Sequence, residues 1–281
     1  MSGAILGCGS SSHSMNSGQT TTTPTQPAAS SINGNWDFLA TSSSFPGVTL
    51  QMGGILTTTG NNVTGTLFAG HSNNSSCFTL LEPVPVTGTI NKSGQLTMTS
   101  AAVNNQIITV VGSLAPGGAS YSGVTYSVAS GTGSQAGCAA GDQGIVTASP
   151  AYPLSAAYAG NITSQSTGDV FSATADLSEQ TDSFNGAPYL TLSGTLLVNG
   201  SACFSKATLS PGLAAGTTLI NVVFGNELLF FVTPSSSTTL SQDLGIYGEI
   251  TQGGSVIDAG YAFGGGLCGD DAGSGTLNAQ P

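Results

Sequence analysis

Alternation of apolar and polar residues is the main structural signal in this sequence. From Tyr189 to Val198 every second residue from Leu190 is apolar or glycine, and those between are Thr or Ser, except for Leu197. A period of two predicts a β-strand with one buried face. Similar patterns occupy residues 48–56, 107–114, 124–128 and 245–250, whereas residues 228–232 are apolar throughout, which predicts a strand buried on both faces.

The predicted strands are short and are separated by turn residues. Pairs such as Gly117-Gly118, Asn199-Gly200 and Gly253-Gly254 are typical of hairpin turns, and about eight strands fit into each half of the chain. No segment shows the periodicity of a helix. The pattern therefore predicts an all-β protein with antiparallel barrels or sandwiches.

The amino-acid composition limits the kinds of molecule that this protein can bind. Only 5% of the 281 residues are charged, and two Lys with no Arg stand against 13 acidic residues, for a net charge of −11. Such a chain lacks the basic surface that nucleic acids or anionic membrane surfaces require. A mean hydropathy of +0.20 argues against disorder. A Gly-, Ser- and Thr-rich chain of this kind is typical of secreted and cell-surface proteins.

Internal repetition predicts two homologous domains. The segment VTGTLFAGHSNNSSCFT, from Val63, resembles LSGTLLVNGSACFS, from Leu192, and a later pair of segments contains Cys138 and Cys268 at matching places. We therefore expect a β domain at 32–150 and its internal repeat at 151–281.

Duplication also selects a cysteine pairing. Of the three pairings that four cysteines allow, only one places the same bridge in both halves, and it joins Cys77 to Cys138 and Cys203 to Cys268. Disulfides persist in an oxidising compartment outside the cytoplasm. Free buried thiols or a metal site are the alternatives, although closely spaced zinc ligands are absent from the sequence.

The N-terminal residues resemble a targeting signal. Ile5-Leu6-Gly7-Cys8 resembles the lipobox of bacterial lipoproteins, which implies cleavage before Cys8 and acylation of that residue. Residues 1–8 thus correspond to a truncated signal peptide, without a basic segment, and a late start codon, trimming or an incidental Cys8 are alternatives. Residues 9–31 are rich in Ser and Thr and predict a flexible tether. Together these features resemble bacterial surface lipoproteins, from which no particular activity follows.

A second resemblance is confined to one motif. Gly34-Asn35-Trp36 is similar to the Gly-x-Trp opening of lipocalin and avidin barrels, which implies that Trp36 closes one end of a calycin-like barrel. The second half has Gly160-Asn161-Ile162 instead, and the arginine that lipocalins pack on the tryptophan is absent.

Residues suited to catalysis are scarce. The two histidines are His13 in the tether and His71 in a polar stretch, and no G-x-S-x-G nucleophile motif occurs. Acidic residues are concentrated in the second half, where Asp176, Glu179 and Asp182 lie close together, as at a polar hairpin tip. A carboxylate pair could serve a hydrolase, but the sequence does not show which acids face one another.

Calcium is the cofactor that the sequence motivates best, and no other cofactor is expected. Asp270 and Asp271 lie among glycines, and the corresponding turn of the first half holds Asp142. Ca²⁺ prefers carboxylate oxygens on such loops, although Gly-Asp is also ordinary turn chemistry.

We expect a lipid-anchored protein of the bacterial cell envelope, facing the periplasm or the cell exterior, with a non-catalytic binding or structural role. A glycan or protein partner would be favoured by exposed aromatics, and an apolar-ligand carrier by a cavity inside a barrel. A hydrolase would be favoured by two acids converging in a cleft. The candidate aromatics are Trp36, Tyr121, Tyr126, Tyr158, Tyr189 and Tyr261.

Overall fold

A computed structural model shows an all-β protein. It describes residues 31–70, 83–103, 105–115, 120–129, 141–184, 187–200, 206–209, 212–214, 218–232, 243–264 and 271–281. In these ranges the helical structure is one 3-10 turn, Gln252–Gly254. The predicted fold class is confirmed, and the architecture is that of closed barrels rather than sandwiches.

The first barrel has eight antiparallel strands in chain order. It closes through β1 and β8, which pair from Trp36↔Pro150 to Ser42↔Gly144. The strands are β1 (Gly34–Ser42), β2 (Thr49–Thr59), β3 (Asn62–Ala69), β4 (Pro83–Ile90), β5 (Gln95–Ser100), β6 (Ile107–Leu114), β7 (Tyr121–Ala129) and β8 (Gln143–Pro150).

The second barrel is also a ring of eight strands, with one interrupted position. Strand β11 pairs with β12 near Leu196 and with β15 at Leu190 and Thr191, so two short strands share one place in the ring. Pairing of β10 with β11 completes the closure. The strands are β9 (Ala157–Ser164), β10 (Val170–Phe184), β11 (Ala187–Asn199), β12 (Lys206–Leu209), β13 (Gly212–Ala214), β14 (Thr218–Ile220), β15 (Val222–Phe224), β16 (Glu227–Val232), β17 (Asp243–Thr251), β18 (Val256–Gly264) and β19 (Asp271–Ala279).

The alternating residues of the sequence separate the inside of each barrel from its outside. On β11, Leu192, Leu196 and Val198 are buried in the core of the second barrel, whereas Leu197 faces solvent, as its place in the pattern predicts. Trp36 lies inside the first barrel near the end at which β1 begins, packed against Tyr121 with ring centroids 5.5 Å apart.

The apolar run at 228–232 behaves differently from the prediction. Leu228 and Phe230 point into the second barrel and are buried. Phe231 faces outward and is exposed, while Leu229 packs against a small cluster outside the barrel core. The strand is thus buried fully on one face only, because contact with the first barrel covers just part of its outer face.

Candidate functional site

The interior of the first barrel is filled by side chains. A cavity inside it, lined by residues such as Phe38, Met52, Met98 and Ile108, has a volume of about 30 Å³. That is roughly the volume of one water molecule, whereas sites for small organic ligands measure about 300–1,000 Å³. This cavity is therefore too small for the ligand of an apolar-ligand carrier.

The candidate aromatic contact residues are also inside the protein. All six are buried, so none provides an exposed aromatic ring on which a sugar could stack: Trp36, Tyr121, Tyr126, Tyr158, Tyr189 and Tyr261. The exposed aromatics that would favour a glycan or protein partner are therefore not among these six, because each lies on the core side of its strand or in the contact between barrels.

The two barrels pack side by side through a small apolar cluster. Phe68, on the outer face of β3, contacts Tyr189 and Phe224 of the second barrel, with ring centroids 6.2 and 6.3 Å apart. Val222 completes the buried cluster, and Leu229 packs against it. These outward residues are apolar because the neighbouring barrel, rather than solvent, covers them.

A tight turn of the second barrel docks onto β1 beside this cluster. Asn35 donates from Nδ2 to the carbonyl of Gly225 at 3.0 Å and accepts from its amide at 2.9 Å. The amide of Asn226 donates to Asp37 Oδ1 at 3.2 Å. Gly225 has a φ of +60°, which favours glycine, and its backbone lies so close to Gly53 that a Cβ there would overlap it.

An open cleft of about 480 Å³ runs beside the contact between the barrels. The first barrel supplies one wall and the second barrel supplies the other. The lining residues are Leu39, Thr49 and Gln51 from the first barrel, and Glu227, Tyr247, Glu249, Asp258 and Gly260 from the second.

Three carboxylates lie side by side on the second wall. The strand register pairs Glu227 with Glu249 and Glu249 with Asp258 across β16, β17 and β18. Glu227 is only 3% exposed, whereas Glu249 and Asp258 face the open cleft. Neighbouring strands are about 4.8 Å apart, and like charges directly opposite one another are destabilising. This arrangement makes the cleft strongly acidic.

Hydroxyl and amide donors position the acids in and near the cleft. Asp258 accepts hydrogen bonds from Thr276 at 3.1 Å and from Thr251 at 3.3 Å. Gln51 donates to Asp37 at 3.3 Å. Burial raises the pKa of Asp37, although the hydrogen bonds from Asn226 and Gln51 oppose that shift. Chemically, the cleft can accept hydrogen bonds, hold positive charge or exchange protons.

The acidic turns that motivated the calcium prediction have a structural role. In the first barrel, Asp142 accepts from Ser42 at 2.7 Å and from Tyr126 at 3.0 Å. In the second, Asp271 accepts from three hydroxyls, those of Ser164, Ser166 and Tyr261, at 2.6 to 2.9 Å. Both carboxylates thus tie the beginning of the last strand of a barrel to its neighbours.

The pKa values of three groups in these clusters are shifted. Burial, followed by the hydrogen bonds to the aspartates, raises the pKa of Tyr126 and of Tyr261 to about 12. The hydroxyl of Ser166, with smaller contributions from Tyr261 and Ser164, lowers the pKa of Asp271. Asp270 lies outside the described residues, and no group of three potential ligands suited to a metal occurs among those described. Calcium binding stays a prediction.

The other acidic group noted in the sequence does not converge. Asp176, Glu179 and Asp182 lie along β10, and the six-residue separation of the two aspartates corresponds to about 20 Å in a strand. Asp176 accepts from Thr195 at 3.3 Å and Asp182 from Tyr189 at 3.1 Å. This segment belongs to a long hairpin of β10 and β11 that ends at the pair Phe184↔Ala187. Asp182 therefore lies near the hairpin tip, as predicted, whereas Asp176 and Glu179 lie farther along the strand.

Several predicted site residues lie outside the described residues. They are the lipidation residue Cys8, the cysteines Cys77, Cys138, Cys203 and Cys268, and both histidines, His13 and His71. The disulfides and the lipid anchor therefore stay predictions.

The three cleft carboxylates were not predicted from the sequence. Glu227, Glu249 and Asp258 are far apart along the chain, and no motif links them. Their outward positions in alternating strands were a usable signal, but only the register shows that they are neighbours.

Comparisons with known proteins give no family. No protein-family model matches the sequence, and no curated protein matches it. In the described part of the chain, no helix is long and apolar enough to cross a membrane. The crystal structure of a Bacteroides fragilis NCTC 9343 protein, provisionally described as an outer membrane protein, is similar over 89% of this chain and 98% of that one, with 12% identity and a TM-score of 0.28. A likeness at that TM-score carries no argument about this protein.

Proposed function

We propose that this protein is a lipid-anchored binding protein of the bacterial cell envelope. Acylated Cys8 and the tether at 9–31 hold the two barrels at a membrane surface, in the periplasm or outside the cell. The barrels arose by internal duplication, which the matching Ser-Asp-Tyr clusters around Asp142 and Asp271 support.

The row of three carboxylates in the cleft between the barrels carries the proposed binding role. A ligand with an ammonium or guanidinium group offsets the repulsion between Glu227, Glu249 and Asp258 and forms charge-assisted hydrogen bonds with them. The residues that line the cleft include no Lys, Arg or His among those described. Tyr247 adds an aromatic ring against which such a cation can pack.

Calorimetric titration with pentalysine tests this function. The variant Glu249→Gln is compared with the control Glu179→Gln, and each removes one exposed carboxylate. Glu249 lies on β17 in the cleft, whereas Glu179 lies on β10, on the opposite side of the barrel. We expect about a 10-fold loss of affinity for the first variant, because a hydrogen bond to a charged group contributes about 1.5–3 kcal/mol, and less than about 2-fold for the second. Equal losses, or no binding by the wild type, would contradict the proposal.

A carboxylate-dependent hydrolase is the second candidate, because the structure does bring acids together in a cleft. Cβ atoms of directly opposite residues are about 4.5–5.5 Å apart, which is compatible with the carboxyl separation of about 5–5.5 Å in retaining glycosidases. Glu227 and Glu249 form one such pair. Release of reducing sugar from oligosaccharides, lost in Glu249→Gln, would support this function, and intact oligosaccharides after prolonged incubation would exclude it for the sugars tested.

A further inference from the structure

A row of polar side chains encircles most of the first barrel. Each member is the direct cross-strand partner of the next, and all belong to the outward-facing set of their strands. In order from β2 to β8 they are Thr57, Thr64, Thr87, Thr99, Thr109, Ser127 and Gln143. The hydroxyls of Thr99 and Thr109 are 3.3 Å apart. The row thus presents donors and acceptors at the strand spacing of about 4.8 Å.

The row ends in a second surface groove, of about 380 Å³, across β6, β7 and β8. Thr109, Ser127 and Gln143 line it from the row. Beside them the neighbouring register places Val111 opposite Thr125, and Thr125 opposite Ile145. Val111 is 40% and Ile145 is 63% exposed. The groove therefore combines hydroxyl and amide groups with two accessible apolar side chains.

This face of the barrel is uncharged. Strands β2 to β8 contain no Asp, Glu, Lys or Arg, although the chain as a whole carries a net charge of −11. A preference of Thr for strands accounts for the number of hydroxyls. Strand propensity alone does not account for the missing charges, because strands of the second barrel carry acids such as Asp176, Glu227 and Glu249. Because this face carries no charge, it suits a neutral ligand. Because its hydroxyl and amide groups both donate and accept hydrogen bonds, it suits a ligand that is rich in hydroxyls.

We propose that the groove at β6–β8 binds a neutral oligosaccharide, whose chain continues along the row of hydroxyls. Sugar hydroxyls pair with Thr109, Thr125 and Ser127, and the C–H faces of the rings pack on Val111 and Ile145. The groove volume lies in the range of about 300–1,000 Å³ for small-molecule sites. This site is separate from the acidic cleft and does not depend on the function proposed for it.

The methyl groups of Val111 and Ile145 provide a direct probe of this site. Titration of the isotope-labelled protein with maltoheptaose and with cellohexaose should shift their NMR signals, and oligogalacturonate, the anionic comparison, should not. Thr125→Val is expected to weaken binding about 5-fold, because one net hydrogen bond contributes about 0.5–1.5 kcal/mol. The matched control is Thr174→Val, at an exposed position on the outer face of β10.

Two further variants test whether the sugar binds in this groove. Ile145→Ala should also weaken binding, and Glu179→Gln, at an exposed position on β10 of the second barrel, should leave it unchanged. Thermal unfolding of each variant verifies that the barrel is intact, which the exposure of Thr125 and Ile145 favours. The proposal is overturned if neither neutral sugar shifts the methyl signals, if oligogalacturonate binds as tightly, or if Thr174→Val has the same effect as Thr125→Val.

Discussion

Asn35 of the first barrel and Gly225 of the second form two hydrogen bonds with each other, through the side-chain amide of one and the backbone of the other. The side chain of Asn35 therefore acts like the backbone of an additional strand. Both barrels close independently, and they are held together by contacts that include this pair, the hydrogen bond from Asn226 to Asp37 and the Phe68 cluster.

Replacing Asn35 by Ala should weaken the contact between barrels. The amide and carbonyl of Gly225 would lose their partners in a partly buried place, at a cost of about 1–3 kcal/mol. Urea unfolding of Asn35→Ala should show a lower midpoint, or two transitions in place of one. Asn62→Ala, at an exposed position on β3, is the control and should leave the curve unchanged.

Gly53→Ala should disturb the same contact through its shape. A Cβ at Gly53 overlaps the backbone of Gly225, and backbone cannot yield as a flexible side chain does. Gly245→Ala is the matched control, since its Cβ would meet no atom closer than 3.8 Å. We expect a loss of about 1–3 kcal/mol in the free energy of unfolding for Gly53→Ala alone. Equal stability of the two variants would mean that the barrels do not approach this closely.

Asp37 should make stability depend on pH. Because burial raises its pKa in the folded protein, its protonated form is favoured by folding. That contribution is complete below the unfolded pKa of about 4 and is lost as the pH rises through the raised value. Asp37→Asn stays neutral and keeps an acceptor for Asn226. The variant should therefore gain stability relative to the wild type between pH 4 and pH 8, and chemical unfolding at both values measures this; a constant difference would contradict it.

The two Ser-Asp-Tyr clusters should differ in their sensitivity to loss of the tyrosine hydroxyl. Asp142 is buried and has two hydroxyl donors, so Tyr126→Phe leaves one carboxylate oxygen without its donor at a cost of about 1–3 kcal/mol. Asp271 is half-buried and keeps Ser164 and Ser166 in Tyr261→Phe. The loss in unfolding free energy should thus be clearly larger for Tyr126→Phe, and the reverse order would contradict the assigned roles.

An intact mass of the protein from its native membrane tests the anchor and the cysteine pairing together. Under non-reducing conditions we expect the chain from Cys8 with its acyl groups, lighter by the hydrogens of two disulfides. Fragment analysis should then join Cys77 to Cys138 and Cys203 to Cys268. A mass that corresponds to an unmodified chain with free thiols would contradict both expectations.

The acidic cleft could be predicted from the sequence only in part. The alternation around β17 places Glu249 on the outside of its strand, which the sequence can indicate. Whether Glu227 and Asp258 are its neighbours depends on how three strands align, and a shift of one residue would send each side chain to the other face.

The sequence by itself determined the strands. Burial of one face of a strand requires an apolar residue at alternate positions, and residues such as Leu192, Leu196 and Val198 show this pattern. It also determined that Asp142 and Asp271 occupy corresponding turns. Only the tertiary structure decided that the sheets close into barrels, that Tyr189 is buried between them, and that Glu227, Glu249 and Asp258 meet in one cleft. Closure, register and docking join residues distant along the chain, and no local pattern records such contacts.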